Sequence, residues 1–227
     1  MAGQAKAPRQ EAPSQFDYKV TYIPSRAKFS FSATEVRHLA VSTLLVSGVG
    51  LSMLGIGLLD AQPELVAVLV LLFTSTFLIH EIAHKITAQH YGLWAEFRLT
   101  LIGALITLVS IVSPFFKIIS PGAVMIAGNA NKETIGKTSI AGPLTNIVFC
   151  MVAFAFTFIL QEENLVVVAV FTAFFNALIA VLNLIPIGIL DGWKVFQWSK
   201  IIWALAFASS VILIFALLSQ HQSLLGL

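Results

Sequence analysis

Along this chain the apolar positions gather into uncharged runs too long for the core of a water-soluble domain. Such runs occupy residues 39–59, 99–116, 138–160, 165–190 and 201–219. A helix of about 20 residues crosses the hydrocarbon core of a bilayer, so each run is a spanning candidate. A sixth run, 65–79, is shorter but continues without a break into His80-Glu81-Ile82-Ala83-His84. Ahead of the first run, residues 16–22 alternate with period two, and a second short alternation follows Pro24-Ser25-Arg26. That pattern predicts a small β-hairpin on the cytoplasmic membrane surface within 16–35. Ser32 and Glu35 have capping-box spacing and would open the first helix. Residues 1–15 carry Gly, Ala, Pro and charge without any period and are read as a disordered arm. No signal peptide is expected, because the residues before the first run hold no apolar core.

The predicted class is an all-α polytopic membrane protein with about five or six transmembrane helices. A re-entrant hairpin or strand segment and the amino-terminal surface hairpin complete it, and 36–227 form one membrane-embedded domain. Composition agrees, with 58% hydrophobic and only 11% charged residues, where soluble domains carry about 25% charged. The implied surroundings are a lipid bilayer. A net charge of +2 without a basic stripe argues against nucleic acid as a partner. The single cysteine, Cys150, excludes a disulfide framework and a cysteine-based zinc finger.

Charge placement predicts orientation, since positive residues favour the cytoplasmic side. Lys6, Arg9, Lys19, Arg26, Lys28 and Arg37 precede the first span, whereas the next loop holds Asp60 and Glu64. The amino terminus is therefore expected inside, with an integral-membrane location. Helix two, opened by Pro63 and Glu64, runs inward to about Tyr91 and stops at Gly92. The run 99–116 decides the rest. A full crossing would put Lys117, Lys132 and Lys137 outside. If residues 99 to about 128 instead dip in and return, all 13 Lys and Arg lie inside. Pro114, Pro121 and Gly122 supply reversals for such a hairpin, so the re-entrant arrangement is the one expected.

The segment His80-Glu81-Ile82-Ala83-His84 is HExxH. On a helix its two histidines share one face, one turn apart, so both rings reach one metal ion, and Glu81 is placed to act as a base. HExxH is short enough to recur by chance. Here, however, it follows an apolar helix directly, and two histidines and a glutamate near membrane depth are costly without a function. A third protein ligand would leave one position open. His90 has the spacing of the extended HExxHxxGxxH motif, but Thr87 stands where that motif turns at glycine. Continued helix would rotate His90 by about 240° and carry it about 9 Å from His84. Of the three aspartates, Asp17 and Asp60 fall in the surface hairpin and at the far end of helix one. Asp191 follows Pro186 and Gly188, which break the preceding helix. It is either a helix-end carboxylate paired with Lys194 at the surface or a ligand turned inward, and the apolar, broken surroundings favour the second.

HEIAH, the later Asn183-Leu184-Ile185-Pro186-Ile187-Gly188-Ile189-Leu190-Asp191-Gly192 and the intervening Ala141-Gly142-Pro143-Leu144-Thr145-Asn146 together resemble the site-two protease family of intramembrane zinc metalloproteases. That family's patterns are HExxH and NxxPxxxLDG, both present here in order. The resemblance spans roughly residues 36–200 and implies a minimal prokaryotic or archaeal-type member without a PDZ or CBS domain. It implies one Zn2+ per chain held by His80, His84 and Asp191, with Glu81 as catalytic glutamate. It further implies that Asn183 touches substrate or a developing oxyanion, with Asn146 a weaker candidate for such a role. Gly122, Ala123, Val124 and Met125 resemble the family's re-entrant strand, against which an unwound substrate segment could add by β-augmentation.

The expected reaction is hydrolysis of a peptide bond within or near the membrane span of a transmembrane protein substrate, at a site opening toward the cytoplasm. The competing reading is a membrane metal transporter or binding protein that uses the same His and Asp residues as a transit site. That reading leaves Glu81 without a role, and transporters commonly show repeats that this sequence lacks. A zinc protease with a glutamate as third ligand would need Glu96 or Glu133, which lie in predicted loops.

Overall fold

The computed structural model describes residues 29–54, 56–114 and 117–225. The arm 1–15 and most of the expected hairpin lie outside these residues. The elements are α1 (Ala33–Leu54), α2 (Ile56–Ala61), α3 (Pro63–His90), β1 (Trp94–Leu99), α4 (Leu101–Val112), β2 (Gly122–Ala127), α5 (Lys132–Phe156), α6 (Glu163–Leu184), α7 (Asp191–Trp198) and α8 (Lys200–Leu225). Helices α1, α3, α5, α6 and most of α8 are long and apolar enough to cross a membrane. The protein is an all-α polytopic membrane protein with, among the described residues, one small two-stranded sheet.

Local signals set most boundaries. Pro63 occupies the first turn of α3, where its missing N–H costs nothing. At the other end, Gly92 adopts φ 75°, a left-handed conformation that glycine reaches without a Cβ clash. The Leu93 amide then donates to Ala88 and the Gly92 amide to Gln89, a Schellman closure whose usual apolar contact is made by Leu93 on Ala88. The chain leaves α3 sharply reversed, and β1 packs back against it.

Only half of the expected capping box forms. Ser32 Oγ accepts the Glu35 amide at 3.1 Å. The Glu35 side chain does not return to Ser32. It is fully buried and pairs with Lys85 of α3, because a buried ammonium is a stronger partner for a carboxylate than an amide that water can reach.

The packing core joins Val46 and Val49 of α1, Leu69, Phe73 and Phe77 of α3, and Phe175 and Ile179 of α6. Phe73 meets Phe175 edge to face, centroids 4.7 Å apart. A second cluster closes α5, α6 and α7 around Ile140, Leu184 and Val195.

The run 99–116 is re-entrant. β1 and β2 are antiparallel, with Leu99 opposite Gly122 and Trp94 opposite Ala127, so the excursion between them begins and ends at one place. Helix α4 turns Leu101, Leu105, Leu108 and Val112 outward. Its inner face carries Gly103, Thr107 and Ser110. Those hydroxyls make the returning, non-helical backbone tolerable in an apolar setting. Ser110 Oγ accepts the Ile118 amide at 2.9 Å, and Thr107 Oγ1 accepts the Ser120 amide at 3.3 Å.

Two expectations need correction here. First, β1 is a strand that the apolar run concealed, since Leu99 belongs to β1 and not to a span. Its alternation was present, with Ala95 and Phe97 buried to 1%. Second, Lys117 does not sit with the other cations. It donates to Ser52 Oγ at 2.8 Å and to the Ser110 carbonyl at 2.9 Å, near the carboxy-terminal end of α1. The hairpin base is instead beside His38, whose Nδ1 accepts the Leu99 amide. Residues 38 and 52 are separated by about 21 Å of helix. Lys117 therefore marks the hairpin tip, where Ser52 and a helix carbonyl accept from it.

Candidate metal centre

The site is built by three segments distant in sequence. Helix α3 presents His80 and His84 one turn apart, 2% and 5% exposed, with ring centroids 4.7 Å apart. Helix α6 ends at Leu184 because Pro186 disfavours helical backbone at Ile185. A tight turn follows, and α7 begins at Asp191. Gly192 permits that turn to close, since a Cβ there would lie 2.1 Å from the Leu184 carbonyl oxygen. The result aims Asp191 at the histidines rather than only at the surface.

Asp191 Oδ2 lies 2.9 Å from His84 Nε2 and 3.3 Å from His80 Nε2, and the two Nε2 atoms are 3.0 Å apart. Its other oxygen, Oδ1, faces Lys194 Nζ at 3.7 Å. One carboxylate thus faces both Lys194 and the two histidines. Among the described residues, His80, His84 and Asp191 form the group whose ligand atoms could share a metal ion.

The donor set fits zinc on three counts. Tetrahedral coordination at about 2.0–2.1 Å places ligand atoms about 3.3 Å apart, close to the three separations here. The remaining ring nitrogens are already committed: His84 Nδ1 donates to the Thr138 carbonyl at 2.8 Å, and His80 Nδ1 donates to Asn146 Oδ1 at 2.5 Å. A carbonyl oxygen can only accept, so in the neutral rings Nδ1 carries the proton and Nε2 keeps its lone pair. Three acceptors facing one another at this range repel unless a cation lies among them. Finally, Gly142 of α5 leaves room beside them, for a Cβ at that residue would sit 2.4 Å from His84 Nε2 and 2.7 Å from His80 Nε2.

The support for the rings extends inward. Asn146 is fully buried and donates to Asn176 Oδ1 at 2.9 Å and to the Thr76 carbonyl at 3.4 Å, which leaves Oδ1 to accept from His80. Asn176 in turn donates to Thr76 Oγ1 and the Thr172 carbonyl. Asn146 therefore lies behind His80 and does not face the cleft, unlike the substrate-side role considered from sequence. Asn176, Thr138 and Gly142 were not singled out as site residues. The signal for Asn176 was a polar amide midway along a mostly apolar helix. For Thr138, whose contribution is a backbone carbonyl, no side-chain signal exists.

A cleft opens beside these atoms, lined by Glu81, His84, Asn183, Asp191 and Lys194, with Gly122, Ala123 and Val124 on the opposite wall. Met125, expected with them, lies apart and is 44% exposed. Glu81 is 8% exposed, and its Oε2 has no hydrogen-bond partner among the described residues. His90 ends α3 exposed, stacked edge-on with Tyr91, and takes no part in the site.

Comparison with known proteins gives one informative relative. The chain is 32% identical over 179 residues to a Methanocaldococcus jannaschii protein named "Putative zinc metalloprotease MJ0611", an alignment that covers 78% of this chain and 91% of the relative. No protein-family model matches, and no solved structure does. With both motifs in place and a zinc metalloprotease relative aligned over most of its length, the chain belongs to the site-two protease family of zinc metalloproteases.

Proposed function

We propose that the protein is an intramembrane zinc metalloprotease that hydrolyses a peptide bond within or near the transmembrane segment of a membrane-protein substrate. The observation that carries this reading is the Glu81 carboxylate. One of its buried oxygens lacks a partner among the described residues and stands on a cleft shared with two convergent zinc-type ligands. Burying such a group costs stability, and a polar reactant entering the cleft offsets that cost. His80, His84 and Asp191 would hold one zinc per chain, which when bound would supply Lewis acidity and lower the pKa of a water toward about 7. Glu81 takes the proton of the attacking water and returns it to the leaving nitrogen. Asn146 and the Thr138 carbonyl hold the two rings in position. Asn183 is assigned to the substrate carbonyl as its charge develops.

The substrate must unwind, because a helix keeps its amides bonded internally. β2 is suited to receive it. The Phe97 amide points away from β2, toward Glu35. Phe97 and Val124 are therefore a non-hydrogen-bonded pair, and by alternation the backbone groups of Gly122, Val124 and Ile126 project from the edge on the cleft side. An extended segment adding there runs past Glu81. Purified protein incubated with a panel of single-span substrates should cleave at least one of them, and a zinc chelator should abolish the cleavage. An undiminished rate after verified zinc removal would rule the reaction out.

We also assign the site opening and both ends of the re-entrant hairpin to the cytoplasmic side, on the strength of the cations before α1 and of Lys132 and Lys137 at the start of α5. Cysteine introduced at position 131, in a background with Cys150→Ser, should label from the cytoplasm alone. Labelling from outside would reverse the assignment.

A further inference from the structure

A buried ion pair stands one residue beyond the second histidine, and the reaction above gives it no role. Lys85 is 2% exposed and Glu35 is fully buried. Lys85 Nζ donates to Glu35 Oε2 at 2.5 Å and to the Ser30 carbonyl at 2.7 Å, with the Phe31 ring 4.1 Å from it. The second oxygen, Glu35 Oε1, accepts the backbone amide of Phe97 in β1 at 3.0 Å. Two residues along the same edge, the Leu99 amide donates to His38 Nδ1 at 3.2 Å. Helix α1 thus occupies the outer edge of β1 at alternate residues, and that edge cannot accept a further strand there. The strand-accepting edge left by the sheet is that of β2, on the cleft.

Replacing a buried ion pair with apolar side chains of similar volume often leaves stability unchanged or raises it. The pair therefore needs an explanation other than stability, and its geometry supplies one. What a carboxylate adds over a leucine here is direction, because it fixes one named amide. A two-stranded sheet is marginal alone and slips register readily. Anchored through Glu35 to Lys85, this one is tied to the helix that carries the metal ligands. We propose that Lys85 and Glu35 are positioning residues: they hold the β1–β2 sheet at a set distance from α3, so that a segment added to β2 lies beside Glu81. This rests on the protease reading above.

The experiment compares two charge-free double variants of the full chain. Glu35→Leu with Lys85→Met keeps the volume but removes the acceptor for Phe97. Glu35→Gln with Lys85→Met keeps an amide oxygen at that place. In the first, hydrogen exchange over 94–99 and 122–127 should accelerate about tenfold while α3 and α5 stay protected, zinc content stays at one per chain, and KM rises about tenfold with kcat within about threefold. In the second, exchange and KM should return toward the parent values. Parent-like exchange in the leucine variant would overturn the anchor. Accelerated exchange with an unchanged KM would overturn its role in positioning substrate. A general rise in exchange across α3 and α5 would reduce the pair to ordinary stabilisation. A parent protein that cleaves nothing overturns the protease reading instead, and the exchange comparison still decides the anchor.

Discussion

Glu81→Gln is expected to keep its zinc, its fold and its affinity for a membrane-spanning substrate, and to lose cleavage. Glutamine preserves size and shape but cannot take a proton. Losing general acid–base help costs about 10²–10⁴ in rate. The loss here belongs at the upper end, because the same carboxylate also orients the attacking water, and its Oε2 has no partner among the described residues to fall back on. Three readouts are needed together: metal analysis, hydrogen exchange or thermal unfolding, and cleavage of a single-span substrate. The variant also separates protease from transporter. Glu81 is not among the convergent ligand atoms, so a transit site would keep its metal flux after this change. Near-parental cleavage by Glu81→Gln would falsify the proposed mechanism even with zinc in place.

Asp191→Ala should lose bound zinc. Removing it leaves two histidine nitrogens, and a two-ligand site falls short of the three protein ligands that catalytic zinc centres use. Changes one step removed from the metal already cost about 10–100-fold in affinity, so deletion of a ligand should exceed that range. Gly142→Ala offers an independent route to the same outcome without touching a ligand. Its Cβ would stand 2.4 Å from His84 Nε2, so either the histidines separate or the ion's place is filled. Both variants should hold well under one zinc per chain by elemental analysis after dialysis, whereas His90→Ala should hold the full amount. Full zinc in Asp191→Ala together with loss in His90→Ala would require a different ligand set.

These expectations draw unequally on sequence and structure. The membrane class, the start of α3 at Pro63, its stop at Gly92 and the break at Pro186 were legible in the sequence. Each is a local matter of apolar run length or of what proline and glycine do to their own backbone. The convergence of His80, His84 and Asp191 was legible for a related reason. HExxH encodes its geometry in one helical turn, and Asp191 stood out as the aspartate next to a helix break. The strand β1 was not legible, because its last residue merges with the apolar run of α4 and the alternation is short. Lys117 was misplaced because positive-inside counting treats every cation as solvated. Ser52, 65 residues earlier, and the Ser110 carbonyl give it protein partners instead. Glu35 looked like half of a capping box until the fold brought Lys85, 50 residues away, within reach. Asn146 and His80 are 66 residues apart, and Asn176 a further 30 beyond Asn146. A sequence states what each segment can do with its own backbone. Which buried polar group answers which depends on the packing of α1, α3, α5 and α6, since only contact in a water-free interior makes one partner better than another.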